Sequence, residues 1–197
     1  MKELRVIFLL ISLAIVLAAC GGEKLEKPSD LDFEVKDFEY KNQDGETVRL
    51  SDLEGKVWIA DFVFTNCNTV CPPMTNNMAS LQKNIKEAGL ENVEIVSFSV
   101  DPEVDSPKVL KEFGSKFNAD FSNWHFLTGY GQKEIEEFAK DSFKTPVQKT
   151  GQSDQVTHGT SFYLVDQNGT IVTKYSGTDR SDKDDQEVIK DIKALQQ

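Results

Sequence analysis

The sequence predicts an α/β fold: a central mixed sheet flanked by helices, with a β-hairpin at its N-terminal end. Three features carry this reading. Two nearly continuous apolar runs, Val57 to Phe64 (VWIADFVF) and Val93 to Val100 (VEIVSFSV), are rich in β-forming residues, as strands covered on both faces are. Helical patterns alternate with the strand patterns, which implies a mainly parallel sheet with helices on both faces. A last pair of strand patterns, Ser161 to Asp166 and Thr170 to Tyr175, flanks Gln167-Asn168-Gly169 and reads as a hairpin adding an antiparallel edge.

In chain order, Phe33, Val35, Phe38 and Tyr40 partly alternate with polar residues. A turn over Asn42-Gln43-Asp44-Gly45 and a short strand from Thr47 to Leu50 complete the expected hairpin. After the strand at Val57 to Phe64, Pro72 to Ala88 reads as a helix closed by Gly89. The strand from Val93 ends at Asp101-Pro102, and Ser106-Pro107 opens a helix to about Phe117, with proline in the first turn where its missing N–H costs nothing. Trp124 to Leu127 is a short strand, Gln132 to Phe143 a helix, Lys144 to Thr157 a polar loop, and Asp182 to Leu195 a terminal helix.

The N-terminus has its own signature. Lys2 and Arg5 precede a 14-residue apolar run from Val6 to Ala19. A membrane-spanning helix needs roughly 20 residues, so the run fits the hydrophobic region of a signal peptide. It ends in Leu17-Ala18-Ala19-Cys20, which resembles the lipobox of bacterial lipoproteins. That resemblance implies cleavage after Ala19 and a diacylglyceryl group on Cys20, whose two acyl chains give stable anchoring. The expected organisation is residues 1–19 as signal peptide, 20–32 as a lipidated tether and 33–197 as a single domain at the outer face of the cell membrane. Loss of residues 1–19 changes the formal net charge from −11 to −12. So acidic a chain is a poor match for nucleic acid.

Of three cysteines, lipid takes Cys20 and leaves Cys67 and Cys71 in FTNCNTVCPP. Outside the cytoplasm such a pair oxidises unless it is reduced or metal-bound. Both cysteines follow directly on a strand end, where sheets of this kind carry their chemistry. Residues at i and i+4 of a helix hold their Cβ atoms about 5–6 Å apart, and a disulfide requires about 3.5–4.5 Å. With Cys67 on the loop and Cys71 at the helix start, the spacing permits a metal site or a redox-active disulfide, and both remain open.

The chain has two histidines. His125 lies inside a strand and reads as structural. His158, in Val156-Thr157-His158-Gly159-Thr160, directly precedes the next strand. Two thiolates and an imidazole make a soft set that suits copper or zinc. A closed structural zinc site wants four protein ligands, so three ligands on loops favour a copper that is passed on. Asp61, inside an apolar strand, either orients or protonates the site or makes a structural hydrogen bond. Asp101 and Asp105 sit at the next strand end, as helix caps or as lining of the site. Met74 and Met78 share a helical face with Cys71 and read as core.

The CxxxC-Pro stretch after an apolar strand, with a lone His 87 positions beyond Cys71, resembles the Sco/SenC family of copper-binding assembly factors for cytochrome c oxidase. Leu50-Ser51-Asp52-Leu53-Glu54-Gly55-Lys56, Phe64-Thr65-Asn66-Cys67, Val100-Asp101-Pro102-Glu103-Val104-Asp105 and Thr157-His158-Gly159 support the resemblance, which runs from about Phe33 to the terminal helix. It implies a thioredoxin-like fold and copper held by Cys67, Cys71 and His158. It also implies the copper-bearing oxidase subunit and a thiol reductant as partners. Family members often have Pro after the first Cys, where this chain has Asn68. Thioredoxin-like folds also place a cis-proline in the loop where His158 stands, and the last proline here is Pro146. The alternatives are a thiol–disulfide oxidoreductase acting through the Cys67–Cys71 pair, or a redox or copper sensor.

Overall fold

The computed structural model describes residues 31–149, 151 and 154–197. The expected signal peptide, Cys20 and nearly all of the tether lie outside the described residues. In chain order the elements are β1 (Phe33–Glu34), β2 (Glu39–Lys41), β3 (Thr47–Arg49), a 3-10 turn (Leu50–Leu53), β4 (Val57–Val63), α1 (Cys71–Glu87), β5 (Val93–Ser99) and α2 (Pro107–Lys116). They continue as β6 (Trp124–Leu127), α3 (Gln132–Phe143), β7 (Val147–Lys149), β8 (Val156–His158), β9 (Ser161–Val165), β10 (Thr170–Ser176) and α4 (Asp182–Leu195).

The main sheet is six-stranded, in the order β1-β10-β9-β4-β5-β6. β4, β5 and β6 run parallel, as the buried runs predict. β9 lies antiparallel against β4, β10 against β9 and β1 against β10. The sheet is therefore mixed, and the last hairpin is not a free edge: β9 is interior and β1 covers β10. All seven residues of β4 are buried, as expected of a strand with neighbours on both sides and cover on both faces.

The N-terminal segment departs from the single expected hairpin. Phe33 and Glu34 pair with Ile171 and Thr170 of the main sheet. Only Glu39 to Lys41 pairs with Thr47 to Arg49. The apolar positions explain the break. Phe33 and Val35 share one two-residue phase, Phe38 and Tyr40 the other, so one regular strand cannot bury all four.

Alternation along β4 sorts the core into two layers. Trp58, Ala60, Phe62 and Phe64 face Phe38, Tyr40, Phe98, Phe138 and Phe143. Val57, Ile59 and Val63 face Met74, Met78, Leu81, Leu110, Trp124, Val188, Ile189 and Ile192. Met74 and Met78 are thus core residues, as their helical spacing suggests. His125 is structural too: its Nε2 lies 3.3 Å from Glu94 Oε2, and Glu94 also pairs with Lys56 at 2.8 Å.

Helix α2 starts as expected, with Pro107 in its first turn, but Ser106 is the cap: its Oγ accepts from Val109 N. Asp101 and Asp105 are therefore free for other work. The polar stretch Lys144 to Thr157 is not simply a loop, since it contains the β7–β8 hairpin.

Phe98 lies among Phe38, Phe62, Phe138 and Phe143, with ring centroids 5.1–5.8 Å away. Phe98→Ala should lower unfolding free energy by about 3–5 kcal/mol, read as a lower denaturant midpoint in urea melts.

Candidate metal centre

After β4, residues 64–70 carry the chain across the sheet end and into α1. The helix N-terminus is satisfied in an unusual way. Pro72 and Pro73 have no N–H, so only two of the first four residues offer an amide. Met74 N donates to Val70 O at 3.1 Å. Cys71 N donates to Cys67 Sγ at 3.3 Å. Sulfur thus takes the place of a capping oxygen, and Val70, the residue in cap position, contributes no side-chain bond. The positive end of the helix favours negative charge on that sulfur.

The cysteine loop is tied to the end of β5. Thr65 Oγ1 donates to Asp105 Oδ1 at 2.5 Å, and Thr65 N also donates to the Asp105 carboxylate. Ser99 Oγ donates to Asp105 Oδ2 at 2.6 Å. Asp105 is therefore a buried brace for the loop rather than a helix cap.

His158 arrives from the other side, on the β7–β8 hairpin, opposite Val147. Its Nδ1 is 2.8 Å from Gly159 O. A carbonyl only accepts, so Nδ1 carries a proton there and Nε2 is the ring atom turned toward the sulfurs. Nε2 lies 3.4 Å from Cys71 Sγ. The ring packs edge-on against Phe64, centroids 5.7 Å apart. Gly159 allows this approach, because a Cβ there would fall 2.2 Å from Thr145 Oγ1.

Cys67 Sγ, Cys71 Sγ and one His158 nitrogen all lie within 4.8 Å of one another. Thiolate and imidazole hold soft metals at about 2.0–2.3 Å, so one ion can bridge donors this close. Both cysteines are free thiols; Cys71 is fully buried and Cys67 is 6% exposed.

The two thiols differ sharply. Burial pushes the Cys67 thiol up, but hydrogen bonding to His158, to Cys71 and to the Thr69 and Cys71 backbone more than offsets this and brings it down to about 5. Burial pushes the Cys71 thiol well above its ordinary range, reinforced by hydrogen bonding to Cys67 and by the charges of Cys67 and Asp61. The site thus holds one thiolate and one thiol.

The expected ligands Cys67, Cys71 and His158 come together. Asp61 is fully buried in β4, and its oxygens find no well-aligned donor among the described residues. Burial pushes its carboxyl up to about 6, against the opposing pull of Ser97 and His158. Asp101 is paired with Lys149. It is 1% exposed and its Oδ1 accepts from Lys149 Nζ at 2.7 Å. Two residues with no distinguishing sequence signal also support the site: Lys149, and Gln155, whose side chain donates to Asn66 O at 3.2 Å. These are ordinary polar residues in polar stretches, and only the tertiary fold gives them partners.

A sheet of this order, with paired cysteines where a central strand meets its helix and a histidine brought in from a separate hairpin, defines a thioredoxin-like protein with a soft-metal site. The chain belongs to the SCO1/SenC family, whose model matches residues 26–197. It is similar to a SCO1/SenC family lipoprotein from Bacillus anthracis str. Ames, with 51% identity, a TM-score of 0.83 and coverage of 88% of this chain and 100% of that one. BsSco, described as a member of the Sco family of cytochrome c oxidase assembly proteins with a disulfide switch, is 48% identical at a TM-score of 0.77, covering 86% of this chain and 96% of its own. Arabidopsis thaliana ScoI, solved with copper bound, is 30% identical at a TM-score of 0.69, covering 80% and 96%.

The thiol asymmetry is measurable as thiolate ultraviolet absorbance against pH. The reduced protein should show one thiolate forming near pH 5. In His158→Ala that transition should move up toward the ordinary thiol value of about 8.5. A depressed folded-state value stabilises the reduced fold above the ordinary thiol range, and the contribution fades as pH falls and is gone below about 5.

Proposed function

We propose that this protein binds copper through Cys67, Cys71 and His158 and helps to assemble the dinuclear copper centre of cytochrome c oxidase. One observation carries the reading: two sulfurs and an imidazole nitrogen within 4.8 Å of one another, at the end of the central strands. The copper-bound Arabidopsis ScoI and the oxidase-assembly role given for the Sco family support it. The partners are the copper-bearing oxidase subunit, which receives the metal, and a thiol reductant, which keeps the pair reduced.

The chain's residues divide the work. Cys67 supplies a ready thiolate. Cys71 gives up its proton when a cation arrives, since a bound metal strongly favours the thiolate form. His158 is already turned with Nε2 toward the sulfurs. The three ligands come from a loop, a helix start and a hairpin, and would leave a bound copper one or more coordination positions for a partner's ligand.

The same pair supports a second reading, favoured by the low value of Cys67. Loss of the Cys71 proton and of two electrons from the Cys67 thiolate–Cys71 thiol pair to an acceptor closes a disulfide. A thiol reductant reopens it through a mixed disulfide. The disulfide is then the unloaded state, reduced before copper binds. Whether thiol exchange on the oxidase cysteines is itself a role separates the oxidoreductase reading from delivery.

We place the protein on the outer face of the cell membrane, held by lipid on Cys20, with residues 1–19 removed as signal peptide and 20–32 as tether. The lipoprotein description of the Bacillus anthracis relative supports this. Among the described residues no helix is long and apolar enough to cross a membrane.

Reduced wild-type protein should bind one copper per chain when titrated with Cu(I) and Cu(II). Cys67→Ala, Cys71→Ala and His158→Ala should each abolish stoichiometric binding; unchanged affinity in His158→Ala would overturn the three-ligand site. Copper loading should also slow hydrogen exchange in β7 and β8, whereas an unchanged pattern would mean that the hairpin is already fixed without metal.

A further inference from the structure

We infer that Lys149 is a positioning residue: it clasps the β7–β8 hairpin to the acidic end of β5 and so fixes His158 over the thiols. The inference rests on the copper reading above. The hairpin is the least supported part of the site. It is two-stranded, with three residues per strand, and is separate from the main sheet. Such a hairpin has little stability of its own. Val147 and Val156 bury their side chains beneath it, but apolar contact alone does not fix register or height.

Lys149 supplies direction. It is the last residue of β7 and pairs with Val156, two positions before His158. Its Nζ lies 2.7 Å from Asp101 Oδ1 and 3.0 Å from Glu103 Oε2. Its backbone N donates to Glu136 Oε1 of α3 at 3.1 Å. Asp101 is buried, so the pair is unlike a solvated surface ion pair: losing the lysine leaves a buried carboxylate uncompensated. Both carboxylates hold the Lys149 amine in its charged form.

The acidic segment has a second duty. The turn from Asp101 to Asp105 is closed by Asp105 N donating to Asp101 O at 2.9 Å. Asp105 holds the cysteine loop through Thr65, and Asp101 holds the histidine hairpin through Lys149. One short turn therefore references both halves of the metal site to the end of β5. This turn acts alongside the direct link between the two loops, where Gln155 Nε2 donates to Asn66 O at 3.2 Å, in setting the distance between thiols and imidazole.

The test compares Lys149→Met, Lys149→Arg and the double variant Lys149→Met/Asp101→Asn with wild type. Three readouts are used: hydrogen exchange of the reduced metal-free protein, thermal midpoint, and the rate at which a chelator removes bound Cu(I). In Lys149→Met, exchange in β7 and β8 should rise about tenfold with β4 and β5 unchanged, and copper should leave about tenfold faster. Lys149→Arg should keep both near wild type. The double variant, which removes the stranded charge, should regain thermal stability yet keep fast exchange and fast release. Wild-type exchange in Lys149→Met would overturn the clasp. Faster exchange with unchanged release would overturn its role in placing His158. Wild-type protein that binds no copper would overturn the copper reading instead, and the clasp would then be decided by hydrogen exchange alone.

Discussion

The site depends on one contact: Cys71 Sγ and His158 Nε2, 3.4 Å apart across 87 residues of chain. Neither residue can make a metal site by itself. Cys71 is fixed by the start of α1, and α1 is fixed by its apolar face against the sheet. His158 is fixed by a small hairpin that would not hold its shape in isolation. The parallel strands between them bring both sequence positions to one end of the sheet. Three apolar strands and the covering helices are in that sense the scaffold for a single short distance.

Two uses of the thiols follow from the same geometry. A helix N-terminus with two prolines leaves one early amide in need of an acceptor, and Cys67 sulfur takes it. That bond and His158 stabilise negative charge on Cys67, while burial keeps the proton on Cys71. A thiolate beside a thiol is ready to bind a soft cation and also ready to exchange with a disulfide. Binding and redox chemistry therefore compete for the same two sulfurs, and the state of the pair decides whether metal can enter. Asp61, buried with poor hydrogen bonding and raised to about 6, adds negative charge nearby that opposes ionisation of Cys71.

Much of this was legible in the sequence, for physical reasons. The runs at Val57 and Val93 had to be interior strands because nothing polar interrupts them except Asp61, Glu94 and small serines. Helix starts at Pro107 and Gln132 and the ends of the terminal helix fell where composition changes. The cysteine pair stood out by scarcity and His158 by its place before a strand. What the sequence hid depends on long-range partners. Phe33 to Tyr40 splits between two sheets because its apolar residues change phase, a break visible only once both partners are known. The β7–β8 hairpin lacks apolar periodicity: Val147 and Val156 are its anchors and its other described residues are polar. Asp101 and Asp105 looked like helix caps, yet Ser106 does that work and frees both carboxylates to bind Lys149 and Thr65.

The central claim is that two sulfurs and the His158 nitrogen hold one copper together. X-ray absorption at the copper edge of the loaded protein tests it most directly. The account predicts two sulfur scatterers and one imidazole nitrogen per copper in wild type, with the imidazole signal absent in His158→Ala. A shell of sulfur alone in wild type, or an imidazole signal that persists in His158→Ala, would contradict it.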